Sequence, residues 1–457
     1  MFDPVLADIR FGCGLSHRIA SPGSTDDMLI GLLSPDRMAT TFPIDDYSEF
    51  GSHLAEYQRL GKIRRDTKNP ATKEEVKAQQ ADLFNTSRLD RRRWLVAHVL
   101  RRMNSATPLR ERLESFWADH FTVRGKAGPL RMATSNYVSS AIRPNLTGDF
   151  ATLLIAATTH PLMLHYLDQQ GTAGPNSPQA QKYPNRLGFN ENLAREMIEL
   201  HTLGVGGPYT QTDVRELAEL LTGLAFRAET GTDFRPPLAE PGAETILGQS
   251  YGGDGPATLH DIHAALHDLA RHPATARHIA GKLATHFVAD AADPDLVAKI
   301  EKTWLATGGD LLSVYEALLT HPAAWDPAPG NVKQPFDYIA SACRALDIPA
   351  DVLTRRVVPL VQTPMRLMGQ FWQEPMGPDG LPEEDRAWIS PQGLAARVQW
   401  AFMVPQLFRE DLPDPRDFVD TALGSRAPDA VRFAASAAET RADGIGVVLA
   451  SPAFQRM

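Results

Sequence analysis

Apolar side chains in this chain recur at intervals of three and four residues, and hardly anywhere at a sustained interval of two. That spacing lays them along one face of an α-helix, where a strand would need strict alternation. Trp94, Leu95, Val99, Leu100 and Met103 follow it between Arg88 and Met103. Leu109, Leu113, Trp117 and Phe121 repeat it after Pro108, a residue suited to a helix's first turn. Asp149 stands at a cap position before the apolar run Phe150–Ala157, and His160-Pro161 breaks that run before a second short helix over 162–169. Asn190 is placed to cap a helix from Glu191 to Leu203 that stops at Gly204. Thr210-Gln-Thr-Asp213 has the form of a capping box and leads into the stripe Val214, Leu217, Leu221, Leu224. Further helices are predicted over 259–287, 295–306, 311–320 and 335–346. The fold class predicted is mainly α: a large multi-helix assembly with long irregular loops and at most a small β-hairpin element.

Three stretches rich in Pro and Gly interrupt the pattern: 171–188, 227–256 and 362–391. The middle one is the best candidate for a β-hairpin. The chain reads as one helical unit over 1–457, with sub-lobes at 1–226 and 257–457 around an insertion at 227–256. The segment 171–188 is expected to cover the helix start at Asn190.

Charge narrows the function classes. Lys and Arg number 46 against 55 Asp and Glu, a net charge of −9, with 43% hydrophobic residues. That balance excludes wholesale disorder and argues against a mainly nucleic-acid-binding protein. One segment departs from it: Arg88 to Arg131 carries 11 basic and 4 acidic side chains, a patch that suits an anionic polymer, a phosphate or a sulfate, although a solvated helix surface paired with acidic neighbours is the favoured expectation. The longest apolar run, 150–164, falls short of the roughly 20 residues of a spanning helix. The first ten residues have no basic region ahead of an apolar one, so a cytoplasmic location is expected. Cys13 and Cys343 form no metal-binding or disulfide framework spacing.

Several strings are longer than periodicity requires. They include Phe116-Trp-Ala-Asp-His-Phe-Thr-Val123, His160-Pro-Leu-Met-Leu-His-Tyr-Leu-Asp168, Asn190-Glu-Asn-Leu-Ala-Arg-Glu-Met-Ile-Glu-Leu-His-Thr-Leu-Gly204 and Tyr209-Thr-Gln-Thr-Asp-Val214. His272-Pro-Ala-Thr-Ala-Arg-His-Ile-Ala280 and Val332-Lys-Gln-Pro-Phe336 follow in order. Together they closely resemble the bacterial family called domain of unknown function 1800. The resemblance implies a helical fold and supplies no established reaction. It also implies a partner, because the family's genes commonly sit beside those of domain of unknown function 1501, which looks like the alkaline phosphatase and sulfatase superfamily. Many relatives read Phe-Trp-His-x-His-Phe, and Ala118 replaces the first of those histidines here. Many also carry an export signal, which would place the protein in the periplasm.

Polar residues within these strings are the candidate site. His120, Glu196, Glu199 and His201 are the acid–base candidates, and His165, Asp168, Asn190 and Arg195 the substrate-binding ones. A divalent metal would draw on His120, His165, Asp168 and His201, with Asp168 orienting the imidazole three residues before it. Glu191, Arg195 and Glu199 also suit a ladder of i,i+4 ion pairs, and a buried His120 suits a structural hydrogen bond. His260, His263 and His267 have metal-ligand spacing on one helix, yet position 264 is Ala and the His-Glu-x-x-His pattern is absent. Two functions are expected from this inventory. One is a metal-assisted hydrolase; the other is a non-catalytic partner or scaffold for the phosphatase-like neighbour, with 362–391 as its contact surface.

Overall fold

A computed structural model describes residues 1–184, 188–328 and 330–457. It is mainly helical, and strand is confined to two small antiparallel hairpins among the described residues. Helix α1 (Tyr47–Asp66) starts where Asp46 accepts the Glu49 N–H at 3.0 Å, and it packs on the 35-residue α2 (Pro70–Asn104). Helix α3 (Pro108–His120) follows after a short turn, and α4 (Phe150–Thr158) begins at the Asp149 cap.

The chain buries its apolar side chains in two clusters. One gathers residues from Leu6 to Trp325 around α3 and α4; the other gathers the C-terminal helices. Helix α2 serves both, giving Trp94 and Ala97 to the first and Leu95, Val99 and Met103 to the second. A turn of 100° per residue puts neighbouring positions on different faces, so one helix can be wedged between two cores.

Thr210 and Asp213 close a capping box at the start of α5 (Gln211–Leu220). The stretch 227–256 holds the expected hairpin and a second one. Strand β1 (Leu224–Arg227) pairs with β2 (Gly231–Phe234), and β3 (Pro241–Ile246) with β4 (Gln249–Pro256). Leu224, Phe226, Ile246 and Tyr251 point into the first cluster. Two carboxylates of α5 hold the second hairpin: Glu216 accepts the Thr245 N–H at 2.8 Å and Asp213 the Leu247 N–H at 2.7 Å. Helices α6 (Leu259–Arg271), α7 (Pro273–Phe287), α8 (Pro335–Ala345) and α9 (Pro391–Met403) complete the parts that matter below.

Three local features bear on the site. His160 caps forward, its Nδ1 accepting the Leu162 N–H at 3.1 Å. His272 and His321 do the same ahead of their own prolines, at 3.1 and 3.3 Å. The helix expected over 191–203 is α-helical only from Asn192 to Glu196 and widens to a π-turn from Met197 to Thr202. The extra residue turns every later side chain by a further step, and such turns are common at functional sites. Finally, 171–188 is fastened to the connection between the hairpins, through Gly174 N–H to Leu238 O at 2.9 Å and Asn176 N–H to Glu240 at 2.9 Å. Its residues 185–187 lie outside the described residues.

Candidate functional site

Helix α3 is buried nearly all round, yet it carries Arg110, Glu111, Arg112 and Glu114 at buried positions. Charges in such a place are tolerated only when paired. Arg143 supplies the main counter-charge, bridging Glu111 at 2.8 and 2.9 Å, Glu114 at 2.5 Å and Asp36 at 2.8 Å. His98 Nδ1 adds a contact to Glu114 at 3.3 Å. Burial alone would raise the Glu114 pKa, but Arg143 and His98 hold it well below the usual range. Beside them, Arg102 of α2 and Arg112 of α3 converge on the two oxygens of Asp337 in α8, and Arg102 also donates to Ser115 Oγ.

Beyond this network the same helix opens on a cavity of about 110 Å³, walled by Ser115, Asp119, His98, His286 of α7, Asp337 and Trp372. A strap of irregular chain, 369–384, closes it. Leu381 N–H donates to both Asp119 oxygens at 3.0 and 3.2 Å, Ser135 Oγ donates to Gln373 at 3.0 Å, and Arg124 donates to Pro375 O at 3.1 Å. Arg91 pairs with Glu374 at 2.6 Å. Glu383, at the strap's end, accepts from His286 Nδ1 at 2.9 Å. The other imidazole nitrogen, Nε2, lies 3.5 Å from Arg112. A guanidinium only donates, so a hydrogen bond from Arg112 needs the lone pair on Nε2, with Nδ1 as the donor to Glu383.

Asp119 and Glu383 are driven apart in proton affinity. Burial, with Glu383 and Asp379 nearby, pushes Asp119 up to about 7 against the opposing pull of Lys282 and the Leu381 N–H. Glu383 is also pushed up by burial, but His286, Lys282 and Arg112 outweigh that and hold it below its ordinary value.

His120 and His201 come together behind the cleft, with ring centres 6.2 Å apart and His120 Nε2 3.2 Å from His201 O. His278 joins them, its Nε2 3.2 Å from Leu200 O. These carbonyls belong to the π-turn. Burial, with Lys282 and His278 alongside, lowers His201 to about 3 and leaves it neutral; His120 is likewise pushed well down. His165 and Asp168 do not contact each other. Both hold Lys126: His165 Nε2 accepts its backbone N–H at 3.0 Å and Asp168 pairs with its ammonium at 2.7 Å. Asn190 donates to Leu167 O at 3.0 Å and Asp168 O at 3.2 Å. Arg195 forms the ladder, at 3.1 Å from Glu191 and 3.2 Å from Glu199. Glu196 is partly buried, and burial with Glu199 beside it raises its pKa. His260, His263 and His267 remain on α6, with His260 exposed. Among the described residues, the only His, Cys, Asp or Glu trio with ligand atoms within 4.8 Å of one another is Glu216, Glu219 and Glu244. Neither predicted histidine set forms such a group.

Asp119, His286, Glu383 and Asp337 were not singled out by spacing. Asp119 adjoins His120 in the Trp-Ala-Asp-His string, which was the one available signal. The other three depend on contacts across 97 residues or more. Ala118, where many relatives have histidine, lines the same cavity.

Fold and site together define a mainly helical protein built around buried ion pairs and a strap-covered polar cleft. The chain belongs to the family described as protein of unknown function (DUF1800), which it matches over residues 18–456. No curated protein and no solved structure matches it. Among the described residues no helix is long and apolar enough to cross a membrane.

Proposed function

We propose that the protein is a hydrolase that works by general acid–base catalysis in the cleft under the strap. The observation that carries this reading is the meeting of a His286–Glu383 pair with a separate carboxyl, Asp119, at one cavity. Groups whose environments drive their proton affinities apart divide naturally into an acid and a base. Asp119, still protonated near neutrality, delivers a proton to the leaving group. His286 Nε2, oriented by Glu383 and exchanging its 3.5 Å contact with Arg112 for the attacking water, takes a proton from that water, and the hydroxide adds to the reacting centre as the old bond breaks. Phe336 and Trp372 supply an apolar wall against the substrate.

A panel of p-nitrophenyl esters, amides and glycosides tests this. Turnover of at least one member should fall 100-fold or more in Asp119→Asn and in Glu383→Gln, without loss of fold. Turnover that both variants retain, or none across the panel, would refute the acid–base assignment.

A second reading, docking to the phosphatase-like neighbour, is favoured by the apolar side chains that 362–391 leaves in solvent. Leu367, Phe371 and Met376 are 62%, 39% and 89% exposed. Co-purification of the two proteins that survives in wild type and is lost in Leu367→Asp/Met376→Asp would support it.

A further inference from the structure

The basic segment noted in the sequence splits in two in the fold. Arg101, Arg102, Arg110 and Arg112 turn inward and are consumed by the buried network and by backbone carbonyls. Arg88, Arg91 and Arg92 do something else. They occupy i, i+3 and i+4 of α2 and line a second cavity, of about 170 Å³, together with Gln362 and Trp372. Arg91 is neutralised by Glu374, and Arg93 faces away to Asp45 and Asp90. Arg88 and Arg92 have no acidic partner among the described residues. Three arginines therefore line one hollow, the Arg91 guanidinium held by Glu374 and the Trp372 carbonyl, while the exposed Arg88 and Arg92 keep their charge without an ion-pair partner. Planar forked donors of this kind match the oxygens of a tetrahedral anion, and the Gln362 amide adds a neutral donor. Trp372 lines this hollow and the catalytic cleft alike.

We propose that Arg88, Arg91, Arg92 and Gln362 form a binding pocket for a phosphate or sulfate group carried by a small substrate. The anion is a handle: held by the arginines, it places the remainder of the molecule past Trp372 toward Asp119 and His286. As a statement of substrate class this rests on the hydrolase reading, whereas the pocket itself does not. The volume suits one tetrahedral oxyanion of a small molecule.

Titration calorimetry of the full chain tests the pocket with inorganic phosphate and, separately, inorganic sulfate, at constant ionic strength in chloride. Saturable one-to-one binding of either ion is expected, weakened at least tenfold in Arg88→Gln/Arg92→Gln. The control Arg64→Gln/Arg65→Gln removes the same charge from the exposed end of α1 and should change affinity less than twofold. A ligand-induced change in tryptophan fluorescence should vanish in Trp372→Phe. Absence of saturable binding, equal weakening in both double variants, or a fluorescence change that persists in Trp372→Phe would each overturn the pocket. The tighter of the two ions identifies the handle. Anion binding without turnover dependent on Asp119 keeps the pocket and removes the hydrolase; turnover without anion binding does the reverse.

Discussion

Asp119 keeps its proton up to about pH 7 in the folded protein, whereas an unperturbed aspartate releases it near 3.8. Between those values the folded state holds more protons than the unfolded one, so this group's contribution to stability is lost as pH rises through that window. Asparagine cannot ionise, yet its amide oxygen can still accept the Leu381 N–H. Asp119→Asn should therefore gain on the wild type with rising pH, by about 2–4 kcal/mol between pH 4 and pH 8. Urea denaturation at both pH values measures it, and a pH-independent difference would show that Asp119 titrates normally. His201 runs the opposite way. Its pKa is depressed to about 3 by burial, so its contribution is complete above 6.5 and disappears as the pH falls toward 3. Both residues lie in strings prominent in the sequence, but their protonation was not legible there, because desolvation depends on what packs against them.

At the scale of elements, two glycines fix the site's outline. Gly204 ends the π-turn at φ +85°, and a Cβ there would lie 3.0 Å from His278 Nδ1. Its role as a helix stop was readable from sequence; its closeness to His278 was not. Gly380 bends the strap at φ +83°, and a Cβ there would meet the Asp119 backbone oxygen at 2.8 Å. Alanine at position 380 must push the strap off α3. Gly380→Ala should speed amide exchange across 370–383 by tenfold or more and lower turnover, while amides of α3 and α4 exchange as before. Unchanged protection of the strap would mean that it is held by something other than this close approach. The stretch 362–391 was recognisable as irregular from its Pro and Gly content. That it folds back over a cleft follows from Asp119, Ser135 and His286, none of them nearby in sequence.

Across the whole molecule, α2 contributes to both apolar clusters. Trp94 and Leu95 are adjacent in sequence and lie in different cores, so neither core can dissolve without exposing the other's face of the helix. The Arg102–Asp337–Arg112 bridge crosses the same boundary, and removing one partner of a buried pair costs about 3–5 kcal/mol. Heating should accordingly give one cooperative transition, with circular dichroism and tryptophan fluorescence coincident, and Asp337→Ala should lower it without splitting it. Two resolved transitions would mean that the clusters unfold independently.

The break at His272 and the π-turn after Glu196 were not legible in the sequence alone, whereas the mainly helical class, several helices with their caps at Asp149 and Thr210, the hairpin region and the family resemblance were. Each of these rests on residues within a few positions of one another, where backbone geometry and local hydrogen bonds decide. The ladder at Arg195 was readable for the same reason. Tertiary structure alone decided that Asp119 faces His286 and Glu383, that His165 and Asp168 grip Lys126, and that some arginines of one basic run are buried while others line a pocket. Helical spacing says which residues share a face but not what the face meets, and burial in a low-dielectric interior is set by the partner surface.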